Sequence, residues 1–415
     1  MTRILFGNVA QVLTCTDPTE ASVIEDANVL VEDGRIVDIG PQIHASGEVE
    51  RIDCNRGVLT PGFVDSHTHA VFGAWRSGEY ALRCRGVPYM EIAGKGGGIN
   101  ASVRDLRSRS EAELVELSRP RLAAMLAHGT TTAEVKSGYG LTTADELKTL
   151  RAIRKLGEET PMDLVPTFLG AHEFPPEYRD DRDAYVDLLV EESIPAVAAE
   201  KLAQFCDVFM EPGVFTAEQT RRVLEAGLAH GLVPKLHADE LSNSGAAELG
   251  AELGAASADH LGAISDAGIA ALAGSSTIAT LLPTTLFFLG RKNYAPARKL
   301  IEAGARLALA TDFNPGSSPS PSMPLVLTVA CSQMGLDPLE ALYAATHGGA
   351  LALQLTDGRG QLRPGAPADL VLWSVAHYTE IPYRFGWPPI AGVWKRGRNV
   401  SGACDPHHHS VSSTP

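Results

Sequence analysis

The sequence predicts an α/β fold: a (β/α)8 TIM barrel with a small β-sandwich domain built from both chain termini. Two observations predict it. Between residues 61 and 354, eight short apolar runs alternate with segments of helical period. On either side of that region lie strand-like segments separated by turn signals. The chain has 415 residues, well beyond the ~250 of a bare barrel, so there is chain left for a flanking unit.

The elements follow in chain order. RILFGNVAQVLT, ANVLVEDGRIVDIG and ERIDCNRGVLT read as short strands, and Asp33-Gly34 is a tight hairpin signal between two of them. GFVDSHTH, TTTAEVKSG, DLVPTFLGAH, FCDVFM, LVPKLHAD, ASADHL, STIATLL and RLALATD read as the eight barrel strands. EAELVELSRPRLAAMLAHG, TADELKTLRAIRKLG, AEQTRRVLEAGLAHG and DAGIAALAG read as helices between them, with Gly as a stop signal. QLRPGAPADLVLWS and GVWKRGRNV return to strand. The expected units are residues 1–60 with 355–402 as a composite β domain, 61–354 as the barrel, and 403–415 as a disordered polar tail.

Hydrophobic residues make up 44% of the chain and charged residues 20%, ordinary usage for a chain that buries a large core. The net charge of −15 argues against a nucleic-acid partner and against docking on an anionic membrane. It leaves a small anionic substrate open, because one arginine can grip one carboxylate. Six cysteines without a CxxC pair point to reduced thiols in the cytoplasm rather than a disulfide framework. The opening MTRILFGNVAQVLT has no signal-peptide pattern. Residues 268–290 carry no charge, but their Gly, Thr and Pro content reads as helix end, strand and loop rather than a membrane span.

Strand side chains alternate, so His67 and His69 point into the barrel together at the end of the first strand. Active sites of such barrels lie at that end. His237 ends the fifth strand, His260 the sixth and Asp312 the eighth, while Glu240 lies three residues beyond His237. Each alone is an ordinary strand-end polar residue. Together, at one end of one barrel, they predict one site. Imidazoles from His67, His69 and His237 with the Asp312 carboxylate suit one Zn2+ or iron ion and leave room for water. Asp312 can accept a proton from that water. His260 is placed to polarise a carbonyl, and Glu240 to pass a proton to substrate. The turn NPGSS follows Asp312, and its Asn314, Gly316 and Ser317 can aim backbone N–H groups into the pocket.

PGFVDSHTH, HADE, SADH and ATDFNPGSSP resemble the amidohydrolase superfamily. HTHAVFGAWR, GTTTAEVKSGYGL, FLGAHEFPPEY and LLPTTLFFLG resemble, more narrowly, the imidazolonepropionase family. The resemblance covers essentially the whole chain before its polar tail. It implies one Zn2+ or Fe2+/Fe3+ per chain and hydrolysis of the cyclic amide of 4-imidazolone-5-propanoate to N-formimino-L-glutamate, the third step of histidine degradation. It further implies that Arg76 grips the propionate carboxylate and that Tyr139 and His172 contact the substrate, with Glu240, Asn314, Gly316 and Ser317 beside them. A homodimer without nucleic-acid or membrane partners is the accompanying expectation. Two-metal relatives bridge their ions with a carboxylated lysine on the fourth strand. DLVPTFLGAH, read as that strand, has no lysine, so a single ion is expected. The rival activity is deamination of a purine or pyrimidine ring, which has no use for a carboxylate-gripping Arg76. A catalytically silent barrel is the rival from outside enzymology, and the complete ligand set argues against it.

Overall fold

The computed structural model describes residues 2–43, 45, 47–87, 91 and 96–401. The expected tail from 403, with His407, His408 and His409, lies outside the described residues. Seven strands come first: β1 (Arg3–Gly7), β2 (Gln11–Leu13), β3 (Val23–Glu25), β4 (Asn28–Glu32), β5 (Arg35–Gly40), β6 (Glu50–Asp53) and β7 (Val58–Pro61). The barrel strands are β8 (Phe63–Asp65), β9 (Thr130–Lys136), β10 (Asp163–Ala171), β11 (Phe205–Met210), β12 (Val233–Ala238), β13 (Ser257–His260), β14 (Ile278–Leu281) and β15 (Leu307–Leu309). Then come β16 (Leu370–Trp373), β17 (Ile390–Lys395) and β18 (Arg398–Asn399).

The strands outside the barrel form two sheets, β5-β4-β1-β6 and β18-β17-β16-β7-β2-β3, and the second draws on both ends of the chain. Ile4, Phe6, Val29 and Val31 of one sheet share a core with Val12, Leu59, Leu370 and Trp394 of the other, which makes the pair a sandwich. Asp33 and Gly34 take φ of 46° and 80°, as a two-residue turn between β4 and β5 requires.

β8 to β15 pair in chain order, each parallel to the next. The expected helices are Glu111–Ala127, Thr143–Glu159, Ala217–Ala229 and Asp266–Ala273. Ser110, Thr142, Thr216 and Ser265 cap them, each side chain accepting from a backbone N–H of the first turn. The uncharged stretch 268–290 resolves into the last of these helices, β14 and the short helix Pro283–Phe288. Among the described residues no helix is long and apolar enough to cross a membrane. One strand number needs correcting. DLVPTFLGAH is β10, third in the barrel, and the fourth strand is β11, FCDVFM, which also lacks lysine.

β8 and β15 are the two lips of the barrel, and the seam closes just beyond them. Asp312 N–H donates to His67 O at 3.0 Å and His69 N–H to Phe313 O at 2.9 Å. The Asp65 carboxylate accepts from Thr311 N at 3.1 Å and from Thr311 Oγ1 at 2.6 Å. Gly348 and Gly349 press against the lips from outside the strands. A Cβ on Gly348 would come within 2.2 Å of Leu307 O, and one on Gly349 within 2.0 Å of Val64 O. Gly349→Ala is therefore expected to cost about 3 kcal/mol through forced backbone movement. Gly157→Ala, inside the helix Thr143–Glu159 with Leu164 Cβ no nearer than 3.8 Å, is expected to stabilise by about 0.5 kcal/mol. Urea midpoints of the two variants check this. Equal midpoints would mean that the seam yields freely.

Candidate metal and substrate site

Parallel strands bring their carboxyl ends to one rim, and the expected site residues gather there. His67 and His69 follow β8, His172 follows β10, His237 lies in β12, His260 ends β13 and Asp312 follows β15. One ring nitrogen from each of His67, His69 and His237 falls within 4.8 Å of the others. Asp312 Oδ1 lies 3.7 Å from His67 Nε2 and 3.5 Å from His69 Nε2. Its Oδ2 accepts from Thr285 Oγ1 at 2.7 Å, which turns Oδ1 toward the histidines. All four residues are buried.

Two carboxylates set the tautomers. His67 Nδ1 donates to Asp259 Oδ2 at 2.6 Å, and His237 Nδ1 to Asp207 Oδ1 at 3.1 Å. An ionised carboxylate only accepts, so each Nδ1 carries the hydrogen and each Nε2 keeps a lone pair. Both Nε2 atoms are buried without a hydrogen-bond partner, a costly state for an acceptor. Acceptors orphaned this close together, beside a carboxylate, fit a divalent cation held as an Asp–His–metal relay. Burial, followed by the Lys136 charge, holds His67 well below its ordinary pKa. Burial, followed by His172, does the same for His69. Neutral imidazoles are what a cation needs. Burial lowers His237 too, but the Asp207 carboxylate more than reverses it.

His260 and the next residue, Leu261, take φ of 83° and 61°, a costly backbone for side chains of this size. That bend sets the His260 ring beside His67 and His237, with centroids 5.4 and 5.3 Å away. His260 Nε2 stands 3.8 Å from Glu240 Oε2. Burial lowers His260 to about 4 and raises both Glu240 and Asp312. The neighbouring Asp239 turns its carboxylate away from the cavity. It accepts from Ser244 N at 2.7 Å and Ala247 N at 3.1 Å, tying down the loop that carries Glu240.

These groups open on a cavity of about 370 Å³, which Arg76, Tyr139, His172, Asn314, Gly316 and Ser317 also line. His172 stacks on His69 at 5.1 Å, and its Nδ1 donates to Gly138 O at 2.9 Å. Tyr139 is buried, with its ring centroid 5.8 Å from His69. Arg76 Nε and Nη1 are buried without a hydrogen-bond partner, with Glu79 Oε2 3.9 Å from Nε. Gly316 makes room for that guanidinium, since a Cβ there would lie 1.2 Å from Arg76 Nη2. The NPGSS turn differs from expectation in one respect. Gly316 N and Ser317 N both donate to Asn314 Oδ1 at 2.8 Å, so these N–H groups are spent inside the turn. The short polar side chain of Asn314 outcompetes the pocket for them.

Sequence reasoning missed several residues around the site. Asp207 and Asp259 hide within the apolar strands FCDVFM and SADH, where a lone acid is the available signal. Thr285 lies in LLPTTLFFLG with no local mark. Arg121 is buried, and backbone carbonyls are its hydrogen-bond partners. It donates to Phe72 O and Gly73 O at 2.5 and 2.7 Å and lies 3.4 Å over the Phe72 ring, so it braces the segment from His69 to Arg76.

Residues 58–400 match the amidohydrolase family. An imidazolonepropionase of Symbiobacterium thermophilum is 51% identical over 388 residues, covering 92% of this chain and 91% of its own. An imidazolonepropionase of Myxococcus xanthus is 48% identical over 407 residues, covering 95% and 96%. Among solved structures, an adenosine deaminase from Xanthomonas campestris with bound zinc superposes with a TM-score of 0.71 at 20% identity, over 96% of this chain and 92% of that one. That last likeness is one of fold. The barrel, its histidine cluster and these sequence identities agree: the chain belongs to the amidohydrolase family and, within it, to the imidazolonepropionases.

Proposed function

We propose that this site hydrolyses the ring amide of 4-imidazolone-5-propanoate to N-formimino-L-glutamate with one Zn2+ or iron ion, held by His67, His69, His237 and Asp312. The observation that carries this reading is a pairing within one cavity. A cluster of three histidines and a carboxylate shares the cavity with a half-buried arginine whose Nε and Nη1 are buried without a hydrogen-bond partner and whose nearest carboxylate, Glu79, stands 3.9 Å away. Ring deamination would account for the first feature and leave the second without a purpose.

A divalent ion bound there supplies Lewis acidity and lowers the pKa of water toward neutrality. The chain's own residues do the rest. Arg76 holds the propionate carboxylate by charge-assisted hydrogen bonds. Tyr139 and His172 form the wall that fixes the ring, with Asn314, Gly316 and Ser317 closing the Arg76 side. Asp312 Oδ1 takes a proton from the water that adds to the ring carbonyl carbon. His260, kept neutral by burial, donates to the carbonyl oxygen as negative charge develops on it. Glu240, whose pKa burial raises, delivers a proton to the ring nitrogen as the carbon–nitrogen bond breaks. The products of that break are a carboxylate and the formimino nitrogen of the open chain. A homodimer located in the cytoplasm completes the proposal, on the strength of the family resemblance.

The test is an assay on freshly generated imidazolone propionate, following loss of its ultraviolet absorbance. Rapid turnover is expected from metal-loaded protein. Treatment with a chelator is expected to abolish it and to lower Tm, with both restored by Zn2+ or Fe2+. No turnover by fully loaded protein would sink the substrate assignment.

A further inference from the structure

Beneath the three histidines lies a closed group of charges that the reaction does not consume. Lys136, at the end of β9, is fully buried. Its Nζ donates to Glu134 Oε1 at 2.6 Å and to Asp207 Oδ2 at 2.7 Å, with Asp259 Oδ2 at 3.9 Å. Lys235 Nζ donates to Ser66 O at 3.2 Å and stands 3.7 Å from the same Asp259 oxygen. Asp207 is thus shared, with Oδ1 on His237 and Oδ2 on Lys136. Asp259 Oδ2 faces His67, Lys136 and Lys235, while its Oδ1 is buried without a partner. Glu134 reaches the same ligands by a second route, since its Oε2 accepts from the N–H of Thr68, between His67 and His69.

We propose that Lys136 is a positioning residue for metal capture, orienting Asp207 and Asp259 so that His237 and His67 present their Nε2 lone pairs to the ion. The inference rests on the metal-hydrolase reading above. Three carboxylates, from Glu134, Asp207 and Asp259, converge in one buried space. Without a central cation they repel, and one turns away. That movement unhooks an imidazole from its acceptor and frees its tautomer. An ammonium also repels a dication directly. The two effects have opposite signs in metal affinity, and the geometry points to positioning as the larger, because Lys136 touches the carboxylates and no ligand nitrogen.

The experiment titrates Zn2+ into metal-free full-length protein against a chromophoric chelator, with Tm measured alongside. Wild type, Lys136→Met and the double variant Lys136→Met/Glu134→Gln are compared. The double variant removes one cation with one carboxylate, and Gln keeps an acceptor for Thr68 N–H. Zn2+ affinity is expected to fall 10- to 100-fold in both variants, with the double variant returning to the wild-type Tm. If the single variant does not fold, the double variant carries the test. A folded double variant that binds Zn2+ as tightly as wild type, or more tightly, overturns the proposal. So does a double variant that cannot fold, since Lys136 would then be a requirement of folding rather than of the metal site. Failure of wild type itself to bind Zn2+ would instead overturn the reading on which the inference rests.

Discussion

Asp312→Asn is expected to lower kcat by about 10²- to 10⁴-fold, the range for loss of a positioned proton acceptor, while the fold survives. Asp312 has φ of 51°, and Asn is the residue that best tolerates that backbone besides Gly. The seam hydrogen bond from its N–H to His67 O uses backbone atoms alone, and the amide can still accept from Thr285 Oγ1. The group facing His67 and His69 changes from a carboxylate oxygen that takes a proton to an amide NH2 that cannot. Turnover should be measured beside metal content per chain, because weaker binding and slower chemistry both reduce activity. A kcat within a few-fold of wild type at full metal content would remove Asp312 from the proton path.

Arg76→Met is expected to raise KM about 10²- to 10⁴-fold with a smaller change in kcat. Two charge-assisted hydrogen bonds to one carboxylate, each of about 1.5–3 kcal/mol, account for that size. Nε and Nη1 of the guanidinium are already buried without a hydrogen-bond partner, so the substrate carboxylate meets a preorganised partner. Arg76→Lys should recover little, because an ammonium cannot reproduce the planar fork. Steady-state kinetics on the three proteins decide the point. An unchanged KM would mean that the carboxylate sits elsewhere and would reopen the case for a neutral ring substrate.

Much of the fold was readable because barrel strands alternate with helices in sequence and each strand ends where its polar residue begins. His67, His69, His237 and Asp312 stood out for that reason. The relay behind them did not. Asp207 and His237 are 30 residues apart, and Asp259 and His67 are 192 apart. Their pairing depends on barrel register, which no local pattern encodes. Gly348 and Gly349 carry no local signal of their role, which emerges only when the two lips of the barrel lie against them. The NPGSS turn was evident from its residues, but the direction of its N–H groups was set by the Asn314 side chain.

The seam also orders events in time. Asp65 and Thr311 are 246 residues apart in the chain, and contacts this remote form late because the intervening loop must first be closed. A nascent chain emerges amino end first. After β14 it has all three histidines, but the first strand still lacks its last neighbour and the carboxylate is missing. On the proposed ligand set, the last ligand thus joins the site near the end of assembly. A polypeptide stalled short of residue 312 has neither the closed seam nor that carboxylate.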